Sequence, residues 1–350
     1  MVMVASRGTL CVGLVLGLAL CAAVPACGKK TEHPGGQAPE LTGLAVVPAS
    51  AEVVVGADIA KLTDSPVIDR AVEQLLMRDP TLSERWQRLK DECKLDLGRQ
   101  IKRVMLALGP SRPGPAPGTG PVLMVAVGTL PETDLQQCVA KLVGGGTGGL
   151  TGKPVLGRTL YLAKDGNRTM SFAYTRPDTV VLSADEAYLT EAMGSGKKAP
   201  DNPDLTAWRK LVNQSAPLWA VGRTDARIRD GLVHLTEGKV AAGPVAFAFS
   251  ADLADGAKLQ LSAVMDQPDQ AKALESYVKA ELALLTAAAQ LKSLGSVVGK
   301  LTVTAEGNIV QFRAALTVDD LNHVLSALDG DSQPPQNRAP PKPSPGSGAQ

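Results

Sequence analysis

Aromatic side chains are scarce in this 350-residue chain: four Phe, four Tyr and three Trp, 3% of the total. Proteins that hold single-stranded bases stack them on aromatic platforms, so that class is poorly supplied here, as is sugar binding. Histidine is rarer still, with three residues, which leaves few bases for a histidine-dependent catalytic triad. An excess of one charge is also lacking. There are 36 Lys and Arg against 35 Asp and Glu, a formal net charge of +1. Neutralising phosphates takes a surplus of cations, so nucleic acid is not an expected partner. The apolar run near the N-terminus, Leu10 to Ala23, stops short of the roughly 20 residues that a membrane-spanning helix needs. What the chain does have is 44% hydrophobic and 20% charged residues, the make-up of a globular body rather than a disordered one.

Residues 1–26 are expected to form an export signal. Arg7 is their only charged side chain, an apolar core follows it, and small residues close the segment. Val24-Pro25-Ala26-Cys27 resembles a bacterial lipobox, with Val24 and Ala26 in pattern and Pro25 an uncommon second residue. The resemblance implies cleavage before Cys27 and lipid on its sulfur and new amine. Two or more acyl chains anchor a protein stably where one does so only marginally. In that family Asp after the cysteine marks inner-membrane retention; Gly28 stands there, which implies the outer membrane. Two alternatives stay open: plain cleavage after Ala26, giving a protein secreted to the periplasm, and an uncleaved anchor, since Lys29 and Lys30 blur the flanking charge asymmetry.

Cys11 and Cys21 leave with the signal and Cys27 is committed to lipid, so Cys93 and Cys138 remain. In an exported, oxidising setting an even remainder reads as a disulfide. A buried pair of free thiols is one rival. A Cys2His2 metal site with His234 and His323 is the other, though zinc sites normally bring paired ligands close in sequence.

The remaining chain divides by composition. Residues 27–40 form a tether without apolar periodicity, whose part after the cysteine reaches about 45 Å at most. Residues 329–350 are rich in Pro, Gly, Ser and Gln and are expected to be disordered. Between them lies a body read as two similar halves, 41–200 and 201–328. The hairpin around Asp165-Gly166-Asn167 matches one around Glu306-Gly307-Asn308 at an offset of 141 residues. Upstream of each lies a strand followed by an acidic helix start, Pro131-Glu132 and Pro268-Asp269. Strands that come as hairpins, mixed with long helices, predict an α+β fold with largely antiparallel sheets and flanking helices. The longest helix, from Pro268, carries a stripe of Ala271, Leu274, Tyr277, Val278, Leu282, Leu285 and Ala289. Such a stripe packs on a sheet or lines an apolar pocket.

Several motifs fail in context. Gly144 to Gly149 matches G-x-G-x-x-G, but a helix precedes it where a strand is required. Gly152-Lys153 lacks the rest of a P-loop. Ser195-Gly-Lys-Lys198 fits S-x-x-K without the companion motifs of the penicillin-binding enzymes. His234 reads as structural, and Asp319-Asp320 as carboxylates at the positive end of a helix. No cofactor is expected.

Val47-Pro48-Ala49-Ser50-Ala51 leading into Val53 to Asp58, Ser65-Pro66, Cys93-Lys-Leu-Asp96, Cys138 and Pro217-Leu-Trp219-Ala-Val form a longer pattern. It resembles exported lipoproteins of unknown function common in myxobacteria and their relatives. That resemblance implies a Cys93–Cys138 pair, although the family's usual Gly after the first cysteine is Lys94 here. It implies no chemistry. The expectation is a non-enzymatic, lipid-anchored envelope protein with a binding or assembly role, with carriage of an apolar ligand or lipid in the periplasm as the alternative and an uncharacterised enzyme as the third reading.

Overall fold

The computed structural model describes residues 41–323, apart from 94, 112–119, 145–147, 214 and 290–294. The signal, Cys27, the tether and the proline-rich tail lie outside the described residues. Twelve strands follow in order: β1 (Val53–Asp58), β2 (Ile101–Leu108), β3 (Val122–Gly128), β4 (Gly149–Val155), β5 (Arg158–Asp165), β6 (Arg168–Arg176), β7 (Thr179–Ser183), β8 (Leu218–Arg223), β9 (Ala246–Asp252), β10 (Ala257–Val264), β11 (Leu301–Glu306) and β12 (Ile309–Leu316). The helices are α1 (Ile59–Leu62), α2 (Pro66–Arg78), α3 (Pro80–Cys93), α4 (Leu97–Gln100), α5 (Glu132–Gly144), α6 (Glu186–Met193), α7 (Pro203–Arg209), α8 (Ala226–Leu235), α9 (Pro268–Ala289) and α10 (Gly295–Val298). Residues 318–323 are helical as well.

All twelve strands join one sheet in the order β11-β12-β10-β9-β8-β1-β2-β3-β7-β6-β5-β4, and every neighbouring pair is antiparallel. The fold is therefore α+β, as expected, with a single sheet where several were open. The seam is β1 against β8, with Val55 opposite Ala220. It carries the sheet across the boundary read at residues 200 and 201. On either side of this seam the chain makes a three-strand meander, β1-β2-β3 and β8-β9-β10, followed by α5 and α9. The glycine hairpins do not continue this correspondence. β12 lies beside β10, whereas β7, not β6, lies beside β3. Gly166 and Gly307 have φ of 55° and 56°, the positive values a tight two-residue turn demands, so local turn chemistry accounts for their likeness.

Antiparallel partners share a face, and alternation along each strand sends side chains to two cores. On the first face Val54, Ala107, Leu123, Val125, Val181, Ala173 and Leu160 pack beneath α6 and α7. On the second face, Val104, Ala126, Phe172 and Val180 pack with Leu135 and Cys138 of α5 and Leu89 of α3. Further along that face, Ala263, Val303 and Val310 lie under Ala271, Leu274 and Tyr277 of α9. One cross-strand row between these two cores, Val55, Ala220, Phe249, Leu261 and Phe312, is apolar throughout and only partly covered; Leu261 is 36% exposed.

Candidate functional site

A hollow lies on the first face, between the sheet and α7. It is a cleft of about 250 Å³. Val54 of β1 with Trp219 and Val221 of β8 form its floor, and Leu205, Thr206, Arg209 and Lys210 form one wall. Leu44, Ala199 and Pro200 close the other side.

Each wall has a local cause. Asn202 caps α7: its side-chain oxygen accepts from the Asp204 and Leu205 amides at 3.0 and 3.2 Å, and Pro203 starts the helix with the φ it already prefers. The Asn202 amide group also donates to the Ala49 carbonyl at 2.9 Å, which ties α7 to the chain entering the sheet. That entering segment is paired by backbone bonds from Ala199 to the Val47 carbonyl, 2.8 Å, and from Ala49 to the Lys197 carbonyl, 3.0 Å. Lys198 locks the corner. It is 7% exposed, and its Nζ donates to the Glu191 and Ala192 carbonyls at 2.9 and 2.8 Å, at the end of α6. Burial pushes its pKa down, partly offset by the Glu191 charge. Two of its three donors go to these carbonyls, which gives the lysine of the Ser195…Lys198 match a structural role.

The floor depends on one glycine. The row through Leu160, Ala173, Val181, Val125 and Met105 reaches Gly56 and then Trp219. A Cβ at Gly56 would collide with the Trp219 indole. The missing side chain lets the indole lie over β1, and the cleft opens beside it. Over the ring, 5.7 Å from its centre, sits the Arg209 guanidinium. Trp208 carries Arg223 at 5.9 Å in the same way, and Arg223 also pairs with Asp204 at 3.0 Å. Arg209 and Lys210 are exposed, and no described carboxylate pairs with either. The Thr206 hydroxyl donates to the Pro200 carbonyl at 3.2 Å. The cleft is thus an apolar slot with an aromatic floor and two cations at its mouth. It can take up hydrocarbon and hold a negative group at the opening.

The residues singled out in the sequence lie elsewhere. Cys93 and Cys138 are disulfide-bonded with their Cα atoms 4.7 Å apart, joining the end of α3 to α5. Bonded to each other, they are not metal ligands, and no cluster of three or more metal-ligating side chains occurs among the described residues. His234 is exposed in the last turn of α8, and His323 is exposed as well. Gly144 ends α5 and Gly149 opens β4, the reverse of the strand-then-helix order a dinucleotide needs. Lys153 pairs with Glu186 at 2.7 Å. Asp320 is one half of a capping box: its carboxylate accepts from the Thr317 amide at 2.7 Å and its amide donates to the Thr317 hydroxyl at 3.2 Å. Lys300 also donates to that carboxylate. Tyr161 donates to Glu132 at 2.7 Å, and burial together with that carboxylate raises the phenol pKa, so it stays protonated and serves as a strut. The α9 stripe from Ala271 to Leu282 packs on β11 and β12 and does not line the cleft, which opens on the other face.

Trp219, Arg209, Lys210 and Thr206 carried no functional signal in the sequence. The available hint was that one of only three tryptophans sits in a strand of small residues, but the glycine that makes room for it is 163 positions away.

No family model matches the chain, and no curated protein matches it. Among solved structures it is similar to one described as crystal form I of the treponemal protein TP0453, at 10% identity and a TM-score of 0.39, over 81% of this chain and 96% of that one.

Proposed function

We propose that the chain is a non-enzymatic, lipid-anchored protein of the cell envelope, held at the outer membrane through Cys27, whose α+β body binds a ligand or partner. The location rests on the apolar run followed by Val24-Pro25-Ala26-Cys27, and on the resemblance to exported lipoproteins of myxobacteria and their relatives. The observation that carries the binding role is the apolar cleft over Trp219. Its lining offers Thr206, Arg209 and Lys210 as its polar side chains, a set suited to holding a molecule rather than to general acid–base or nucleophilic work. The cleft favours carriage of an apolar ligand over a purely protein partner.

Two measurements test this reading. Cys27→Ser moves the protein from the membrane to the soluble fraction of its host; unchanged membrane retention refutes the acyl anchor. Native mass spectrometry of the full chain, extracted from its own host's envelope in mild detergent, shows a bound small molecule above the protein mass. A bare mass, with a protein co-purifying instead, overturns the carrier role in favour of assembly.

A further inference from the structure

We infer that the Trp219 cleft takes a single-chain anionic amphiphile, with its hydrocarbon on the Val54, Val221 and Leu205 walls and its acidic head between Arg209 and Lys210. This rests on the binding role proposed above and names the ligand's chemistry. Three features point to it together. At about 250 Å³ the cleft lies below the roughly 300–1,000 Å³ of drug-sized sites, so it admits one slender chain and not a two-chain lipid. Its floor and inner walls are the side chains of Val, Leu, Ala, Pro and Trp, which gain from hydrocarbon and offer nothing to a polar body. The charged groups of the lining are both exposed and carry one sign. Arg209 and Lys210 have no described carboxylate to neutralise them, while Arg223, the next cation along, is already paired with Asp204.

The arrangement also fixes the ligand's direction. The Thr206 hydroxyl is occupied by the Pro200 carbonyl, so no donor waits within the slot for a head group inserted first. The carboxylate therefore stays outside, against a guanidinium that is held in place over the Trp219 ring. The ligand's acid can come from a free fatty acid or from a single-chain lipid with an anionic head. Both share the chemistry that the cleft reads.

The test is a titration of the purified full chain with decanoate, octanoate, decanol and a decyl phosphate, followed by calorimetry and by quenching of tryptophan fluorescence with bromine-tagged decanoate. Decanoate is expected to bind more tightly than octanoate by about fifteenfold, because each of the two additional buried methylenes contributes about fourfold in affinity. It is also expected to bind more tightly than decanol. Arg209→Gln with Lys210→Gln lies at exposed positions and should remove the preference for decanoate over decanol. Thr206→Phe, which fills the slot from an exposed helix position, should abolish all binding. Tighter binding of decyl phosphate than decanoate assigns the source to a phosphate-headed single-chain lipid; the reverse assigns it to a fatty acid. If the double variant keeps the preference, or if decanol binds as well as decanoate, the anionic class is overturned and the carrier reading stands. If nothing binds and the host-extracted protein is also bare, both fall.

Discussion

Gly56 illustrates how one residue governs a site it does not line. It contributes no side chain to the row in which Trp219 lies, and the indole occupies the space so left. Gly56→Ala should displace the ring and destabilise the protein by about 1–3 kcal/mol, the usual cost of overpacking, with a matching change in tryptophan emission. Unchanged emission and stability in a denaturant titration would show that the contact is not tight. At Asp320 the decisive effect is electrostatic. The Lys300 hydrogen bond first, and then the Thr317 amide and hydroxyl, hold its carboxyl down to about 2, against 3.8 for an unperturbed Asp. A depressed carboxyl contributes stability that is complete above its unfolded value and is lost as pH falls through its folded one. The stability gap between the wild type and Asp320→Asn should therefore be constant above about pH 5, narrow below pH 4 and be lost only below pH 2. A gap undiminished at pH 2 would place the effect in packing instead. The acidic helix start at Asp319-Asp320 was legible in sequence as a dipole effect; its Lys300 partner was not, because that contact needs β11 to be brought alongside.

At the scale of elements, helix α3 makes few contacts with the sheet, and the Cys93–Cys138 bridge ties it to α5. The bridge spans 45 residues, for which the loop-entropy account gives about 3–4 kcal/mol. Cys138→Ser should lower unfolding stability by about that amount in a non-reducing denaturant titration, and reductant should affect only the parent protein. Equal loss on adding reductant to the variant would exclude the bridge as the cause. Strong local patterns were readable here: the glycine turns, the start of α9 at Pro268, and its stripe through Leu282. The stripe continues in sequence to Leu285, which is 53% exposed, next to Leu284 at 67%. A helix of 22 residues runs about 33 Å, while the six residues of β11 extend about 20 Å, so its last turns reach beyond the strand they pack on. Other elements lacked a pattern. β4 carries Gly152 and Pro154, which suit only an edge strand, and it is the edge, pairing with β5 alone. β9 alternates Ala246 and Ala248, weak strand formers, with Phe247 and Phe249, and pairs on both sides with β8 and β10. α6 is capped two residues later than a capping box of Ser183 and Glu186 would place it. Asp185 takes the Tyr188 amide, and Ser183 is drawn off to the Val122 carbonyl.

For the whole molecule, the consequence is that the two halves share one sheet. Five residue pairs join β1 to β8, from Val53–Gly222 to Ala57–Leu218, and Gly56 and Trp219 belong to that seam. The halves should therefore unfold together: far-ultraviolet circular dichroism and tryptophan fluorescence should trace a single coincident transition in denaturant. Two separated transitions would mean that the seam is weaker than either half. By itself the sequence determined what depends on neighbours along the chain: the turn glycines, the helix starts and the α+β class. These follow from local sterics, capping and periodicity, which act over a few residues. Only the tertiary structure decided the strand order, the single sheet and the cleft. Each rests on partners that are far apart in sequence, Gly56 with Trp219 and Val54 with Leu205, and no local rule chooses among the registers that could have brought others together.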